Sequence, residues 1–324
     1  MQPLSRLRKR KKRLFFGSCI IFLILAILVW TIVNVARPMV LNQLISINTI
    51  SKDTVSITLP VEGLVAKEEA VIRSPINGEL ELVVEQGRRV AAHAVVAKVS
   101  ALSLDTPGGS RVHNLAAPTA GAVCTNIDGL EEVLTPATLR ELDLSGIGTI
   151  RKKVTAQPGG QTTMVERGQA VVKLVDNLRP VLIYLELKDE KIPPKLLEEG
   201  QGLNLMYQGQ WFTSRIIKSQ AKKENQSVLV EANSYPEELI FQRVAEFELL
   251  KTELTGLLVE EANLVYRDTQ PGLYIVQRQK ICWVPVEIKG VLQGKVAVES
   301  PALSGGVRYV ANPHLVKEGD RVNK

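Results

Sequence analysis

Val71–Val99 reads VIRSPINGELELVVEQGRRVAAHAVVAKV, a set of short apolar runs cut by turn residues at fixed offsets. Pro75 and Gly78 bracket a P-x-x-G turn, and Asn77-Gly78 suits a backbone of positive φ that few other residues tolerate. An alternating strand follows, with Leu80, Leu82 and Val84 on one face and Glu79, Glu81 and Glu85 on the other. Gly87 opens a second turn, and Val90 to Val99 is a further apolar run. The pattern returns downstream. Ala117-Pro118-Thr119-Ala120-Gly121-Ala122-Val123 repeats the turn and its strand, and Val165–Val175, opened by Gly168-Gln169, repeats the closing run. Two such halves can bury their apolar faces against each other as a small β-sandwich, which neither could do alone. Gly78 and Gly121 are thus marked as the paired turn glycines, and Gly168 as the glycine of the closing turn.

The 324-residue chain is long enough for two or three modules. Its net charge of +6 is concentrated: residues 1–13 hold seven of the 40 Lys and Arg and no acid. The remaining 33 basic residues face 34 acidic ones, so no basic surface is left to track a phosphate backbone, and nucleic acid is excluded as a partner. Leu14 to Ala36 is an apolar run of 23 residues broken only by Gly17, Ser18, Thr31 and Asn34. As a helix it would span roughly 34 Å against a hydrocarbon core of about 30 Å, with Trp30 near the outer interface. A cleaved signal peptide would have a core of about 7–15 residues and small residues before the cut. Asn34-Val35-Ala36 fits that poorly, so the run reads as an uncleaved anchor. The basic tail then places the amino terminus in the cytoplasm and the chain after Arg37 outside, a single-pass protein of the cell membrane. Cys124 and Cys282 fall in strand-like runs of separate modules and read as small buried hydrophobes, with a disulfide between them as the alternative.

Further strands are read at Val55–Leu59, Val61–Ala66, Val181–Leu187, Leu203–Met206, Phe212–Ile217, Ser227–Ala232 and Val244–Leu249. A short helix, Pro193–Glu199, stops at Gly200. After Thr255-Gly256-Leu257-Leu258-Val259, strands recur at Leu273–Val276, Cys282–Val286 and Gly294–Val298, and the tail ends in Gly319-Asp320 before Val322. In this order the elements resemble the membrane fusion proteins, the periplasmic adaptor family of bacterial exporters (haemolysin-secretion type), and the paired halves resemble their split biotinyl/lipoyl-like domain. The resemblance implies a mainly β chain: a transmembrane helix, a split lipoyl-like β-sandwich, a small β-barrel and a membrane-proximal β-domain. The corresponding divisions are a basic tail 1–13, the helix 14–36 and a connector with leading strands 37–70. The sandwich follows at 71–176, the barrel at 177–253 and the last domain at 254–324. The resemblance further implies that the chain passes out and back through its modules, so that their boundaries are nested.

Two features depart from that family. Its members usually insert a long α-helical hairpin between the halves, whereas here the join is only Ser100–Val112, with Pro107-Gly108-Gly109 as a turn. The second half carries an insertion at 125–163 instead. Thr135-Pro136 starts a helix there, Leu139, Leu142 and Ile147 give a short apolar face, and Arg151-Lys152-Lys153 add a basic patch. Leu139, Leu142, Arg151, Lys152 and Lys153 are the candidate partner contacts; a plain surface decoration is the competing reading.

Acyl carriage would need a lysine at the join, and there is none. Lys98 and Lys173 sit within strands and read as solvated or snorkelling. His93 reads as a turn residue, and His113 and His314 as structural. The adjacent pairs Glu68-Glu69, Glu131-Glu132, Glu198-Glu199 and Glu260-Glu261 read as solvated faces. No catalytic residue, cofactor or metal is expected. The resemblance implies an export adaptor, a homo-oligomer that meets the bilayer and an ATP-binding-cassette or proton-driven transporter of the inner membrane. The missing hairpin and the insertion at 125–163 leave a cell-envelope scaffold for wall assembly or division as the alternative.

Overall fold

The computed structural model describes residues 22–31, 43–102, 110–153, 163–188, 192, 194–221 and 225–322. In chain order the strands begin with β1 (Ile47–Thr49), β2 (Lys52–Ala66), β3 (Glu69–Arg73), β4 (Gly78–Leu82), β5 (Arg89–Val90) and β6 (Val95–Leu102). There follow β7 (Ser110–Ala116), β8 (Gly121–Cys124), helices α1 (Pro136–Glu141) and α2 (Leu144–Lys153), β9 (Met164–Val165) and β10 (Ala170–Val175). Next come β11 (Val181–Lys188), β12 (Gly202–Tyr207), β13 (Gln210–Ala221), β14 (Asn225–Ala232) and β15 (Val244–Glu260). The last are β16 (Val265–Arg267), β17 (Gln270–Gln277), β18 (Lys280–Pro285), β19 (Glu287–Leu292), β20 (Lys295–Glu299) and β21 (Arg308–Val310). The chain divides into one compact unit of residues 57–251 and a second formed by the residues before 57 and after 251.

Within residues 57–251 the repeated turns build two four-stranded sheets, β3-β10-β8-β5 and β7-β6-β4-β9. The internal repeat maps β3, β4, β5 and β6 onto β7, β8, β9 and β10, and under that mapping one sheet becomes the other. Each sheet therefore takes two strands from each half of the sequence. Val71 faces Lys173 and Ile72 faces Val172 in one sheet, and Leu80 faces Val99 in the other. The shared core is apolar, with Ile72, Val96, Val99, Leu115, Val123, Val172 and Leu174 buried. Glu79 and Glu81 point to solvent while Leu80 and Leu82 pack on that core, as the alternation predicts.

The rest of this unit is a closed barrel, β12-β13-β14-β11-β2-β15, sealed where β12 meets β15 at Leu205–Leu249 and Met206–Glu248. Closure removes the sheet edges that would otherwise be left unpaired. Its interior holds Val65, Ile183, Leu185, Leu205, Val230 and Phe247, with the Phe212 and Tyr207 rings 6.2 and 5.7 Å from that of Phe247. The two leading strands read from the sequence are one strand, β2, running through exposed Pro60. From Ile57 onwards it lies in the unit of the barrel strands, and its Glu62–Ala66 pair with β11. The short helix before Gly200 is a 3-10 turn, Pro194–Leu197, and Gly200 takes φ +87°.

The second unit has a β1-β21-β17-β16 sheet with β18 added to β17, and the β15-β20-β19 pairings from Leu257 onwards. Ile50, Val259, Leu273, Ile275, Val296 and Val298 fill its core. Val322 N donates to Gln279 O at 2.9 Å, so the tail is hydrogen-bonded to the β17–β18 turn.

Residues 22–31 are helical and their apolar side chains, Phe22 and Trp30 among them, are exposed. The remainder of the expected 14–36 helix and the 1–13 tail lie outside the described residues. Among the described residues no helix is long and apolar enough to cross a membrane.

Candidate functional site

The three marked glycines have two different physical reasons. Gly78 is not among the glycines of positive φ, contrary to the turn reading. It is required by close approach: a Cβ there would lie 2.4 Å from Ser100 O of the neighbouring strand. Gly121, its counterpart in the repeat, would place a Cβ 2.8 Å from Val175 O. Gly168 does take φ +86°, as does Gly87 at +85°, and nothing lies within 4 Å of a Cβ on Gly168. His93 sits in a left-handed turn at φ 65°.

The helix start is where the sequence puts it, with the Thr135 hydroxyl accepting from Thr138 N at 3.2 Å and Pro136 in the first turn. Its apolar face, however, turns inward. Leu139 is fully buried and Leu142 partly so, packed with Leu134, Leu144 and Ile147 on Leu64, Leu182, Tyr184 and Leu229 of the barrel. These two leucines are therefore spent on the chain's own barrel and are not available to a separate partner. Arg151 pairs with Glu62 of β2. Lys152 is exposed, Lys153 closes α2 with its side chain outside the described set, and residues 154–162 are likewise outside it.

Where sandwich, barrel and insertion meet, six ionisable side chains converge. Glu69, at the start of β3, is central, and its side chain is buried. Its Oε1 lies 3.1 Å from Lys173 Nζ and 3.8 Å from Lys67 Nζ, and its Oε2 accepts from Arg243. The Lys173 approach is an ion-pair distance without hydrogen-bond alignment, which leaves Glu69 Oε1 short of a donor. Lys173 Nζ also donates to Glu131 Oε1 at 3.2 Å, and Arg243 Nε to Asp128 Oδ2 at 2.7 Å. Glu131 Oε1 in turn accepts from Asp128 N at 2.7 Å. Lys67 Nζ donates to Ile240 O at 2.6 Å and Gln242 O at 2.8 Å. Three basic and three acidic side chains thus meet in a largely buried junction, where each charge depends on its partners.

Sequence reasoning missed this cluster. It read the adjacent glutamates as solvated faces, but the side chains of Glu69 and Glu131 are buried while Glu68 and Glu132 stay exposed. Lys173 is no snorkelling edge residue either; it is 2% exposed because β10 is the central neighbour of β3 and β8. A lysine inside an otherwise apolar buried strand, AVVKLV, was the available signal.

Burial pushes Lys67 down from the usual lysine value to about 7, against the pull of Glu69. For Asp128, burial pushes upward, but the Arg243 guanidinium outweighs it and holds the carboxyl at about 2. The signs give a pH dependence. The unfolded chain binds a proton at Lys67 up to pH about 10.5, whereas the folded chain releases it near 7. Stability should therefore rise with pH across that window and be flat below it for this group. Asp128 contributes above pH about 4, and the contribution is lost as pH falls through about 2. Urea midpoints at pH 7 and 9.5 should differ in the native chain and converge in Lys67→Met; an identical rise in that variant would refute the assignment.

Among the described residues no group of His, Cys, Asp or Glu is placed to hold a metal ion, and Cys124 and Cys282 are free thiols. What the geometry defines is a multi-module β scaffold cross-braced by buried charges. Residues 69–176 match the family model described as an RND-related barrel-sandwich hybrid domain. No curated protein matches the chain. Among solved structures, ZneB from Cupriavidus metallidurans is 12% identical, with 88% of this chain and 95% of that one covered and a TM-score of 0.32. A putative efflux transporter from Bacteroides eggerthii is 14% identical, with 86% and 96% covered and a TM-score of 0.33. The membrane fusion protein Spr0693 from Streptococcus pneumoniae is 9% identical, with 60% and 100% covered and a TM-score of 0.29. Of these likenesses the domain match at 69–176, over the two half-repeats, is the one that bears weight.

Proposed function

We propose that the chain is a membrane-anchored, extracytoplasmic adaptor subunit of an export or efflux transporter, working by protein contacts and not by catalysis. The observation that carries the reading is the match of 69–176 to the barrel-sandwich hybrid model, over the segment in which two half-repeats exchange strands. Residues 14–36 would anchor it in the cell membrane with the amino terminus in the cytoplasm, and the modules beyond would meet an inner-membrane transporter, ATP-driven or proton-driven, as a homo-oligomer. Support for the anchor is the apolar run itself, preceded by seven basic residues.

Cross-linking in native membranes tests this directly. A transporter subunit should be recovered with the chain, and protease added outside should cut residues beyond 37 while sparing the first 13. Recovery of envelope-assembly proteins without any transporter component would overturn the adaptor reading. The scaffold alternative drew on the 125–163 insertion as a docking element, and Leu139 and Leu142 are engaged within the chain.

A further inference from the structure

The insertion after β8 touches both halves of its unit, and it does so by different chemistry on each side. On the barrel it meets an outer face. Val65, Ile183 and Leu185 point into the barrel, so the alternate residues Leu64, Leu182 and Tyr184 point out, and α1 and α2 cover them. This two-sided burial explains why β11 reads VLIYLEL, apolar at nearly every position. The contact is pinned at its polar rim. Lys218 Nζ donates to Leu142 O at 2.9 Å and to Arg140 O at the carboxyl end of α1, where a cation is favoured. Arg140 pairs with Glu231 and Arg151 with Glu62, both on barrel strands.

On the sandwich side the same insertion ends in charges. Glu131 takes Lys173 of β10, and Asp128 takes Arg243, which also holds Glu69 of β3. Arg243 and Lys67 complete the circuit from the barrel side, through Val65 O at 3.3 Å and through Ile240 O and Gln242 O. Ile240 is itself buried with Ala122, Cys124 and Val175 of the sandwich.

We propose that residues 125–153 are an internal strut that fixes the sandwich on the barrel at one angle, with Asp128 and Glu131 as its locking end. Apolar packing alone would leave the angle adjustable, because slid surfaces still exclude water. Buried charges do not slide: a displaced Arg243 or Lys173 would leave Glu69 or Glu131 dry and unpaired. Sandwich and barrel therefore move as a single body, and any bending of the chain takes place elsewhere. The inference concerns the chain's own mechanics and stands whether or not the adaptor reading does.

Electron–electron distance measurement on the full chain tests it. Spin labels carried by non-canonical residues replace Arg111 on β7 and Gln210 at the β12–β13 turn, both exposed, and labelled chain is diluted into unlabelled chain. The native chain should give one narrow distance. The shape-preserving pair Asp128→Asn with Glu131→Gln should broaden it and speed amide exchange in α1 and α2. Should that pair prevent folding, Glu131→Gln alone, which releases Lys173 from the strut and leaves the Asp128–Arg243 pair in place, carries the same expectation. A broad distribution in the native chain, or a narrow one in a folded variant, overturns the proposal.

Discussion

Replacing Glu69 by alanine is expected to cost the unit about 3–5 kcal/mol, the range for breaking a buried pair by removing one partner. The carboxylate is fully buried and meets three basic side chains, Lys67, Lys173 and Arg243. Its loss leaves one carboxylate, Asp128, for Arg243 and one, Glu131, for Lys173, with Lys67 holding only backbone carbonyls. For a unit of this size the midpoint of thermal unfolding should fall on the order of 10 °C. Glu69→Gln keeps the shape and an acceptor for Arg243, so it should lose less. Calorimetry of the two variants beside the native chain would show the order, and a Glu69→Ala midpoint equal to the native one would mean that water reaches the junction. The cluster need not add net stability over an apolar core of equal volume. What it adds is the penalty for every other arrangement, which is what a fixed angle requires.

The parts of this structure that were legible in the sequence are those in which neighbouring residues determine one another. Leu80 and Leu82 alternate with Glu79 and Glu81 because a strand has a wet face, and Thr135-Pro136 caps a helix through its own hydroxyl. The repeat told that two halves fold together, since each lacks two strands of either sheet. Contacts between distant segments were not legible. Nothing near Glu69 announces that Arg243, far along the chain, will meet it, so Glu68-Glu69 looks like any solvated pair. The insertion illustrates the same limit. Leu139 and Leu142 declare an apolar face, and local pattern gives no means of choosing between the chain's own barrel and a foreign surface.

The three marked glycines carry the sharpest contrast. Gly78 and Gly168 both punctuate the repeat, and on sequence both were assigned to turns, yet a methyl group should affect them very differently. At Gly168 an alanine would have open space and would suffer only the left-handed backbone, about 1–2 kcal/mol. At Gly78 the methyl would stand 2.4 Å from Ser100 O and 2.9 Å from Ser100 C. Those are main-chain atoms of β6, paired to β4 at Glu79–Ser100, and no rotamer change can clear them. Either the two strands part at Gly78, which also pairs with Val165 of β9, or the sheet shifts register. Gly78→Ala should therefore lose at least about 3 kcal/mol, the upper end of the cost of overpacking, and Gly78→Val more. Gly121→Ala, facing Val175 O at 2.8 Å through the same relation in the other half, should fall on the side of Gly78. Urea denaturation of the three alanine variants separates close approach from backbone handedness. Equal losses at Gly78 and Gly168 would mean that handedness governs both positions, and the two sheets would then not be held at the carbonyl-to-glycine contact that their shared repeat creates.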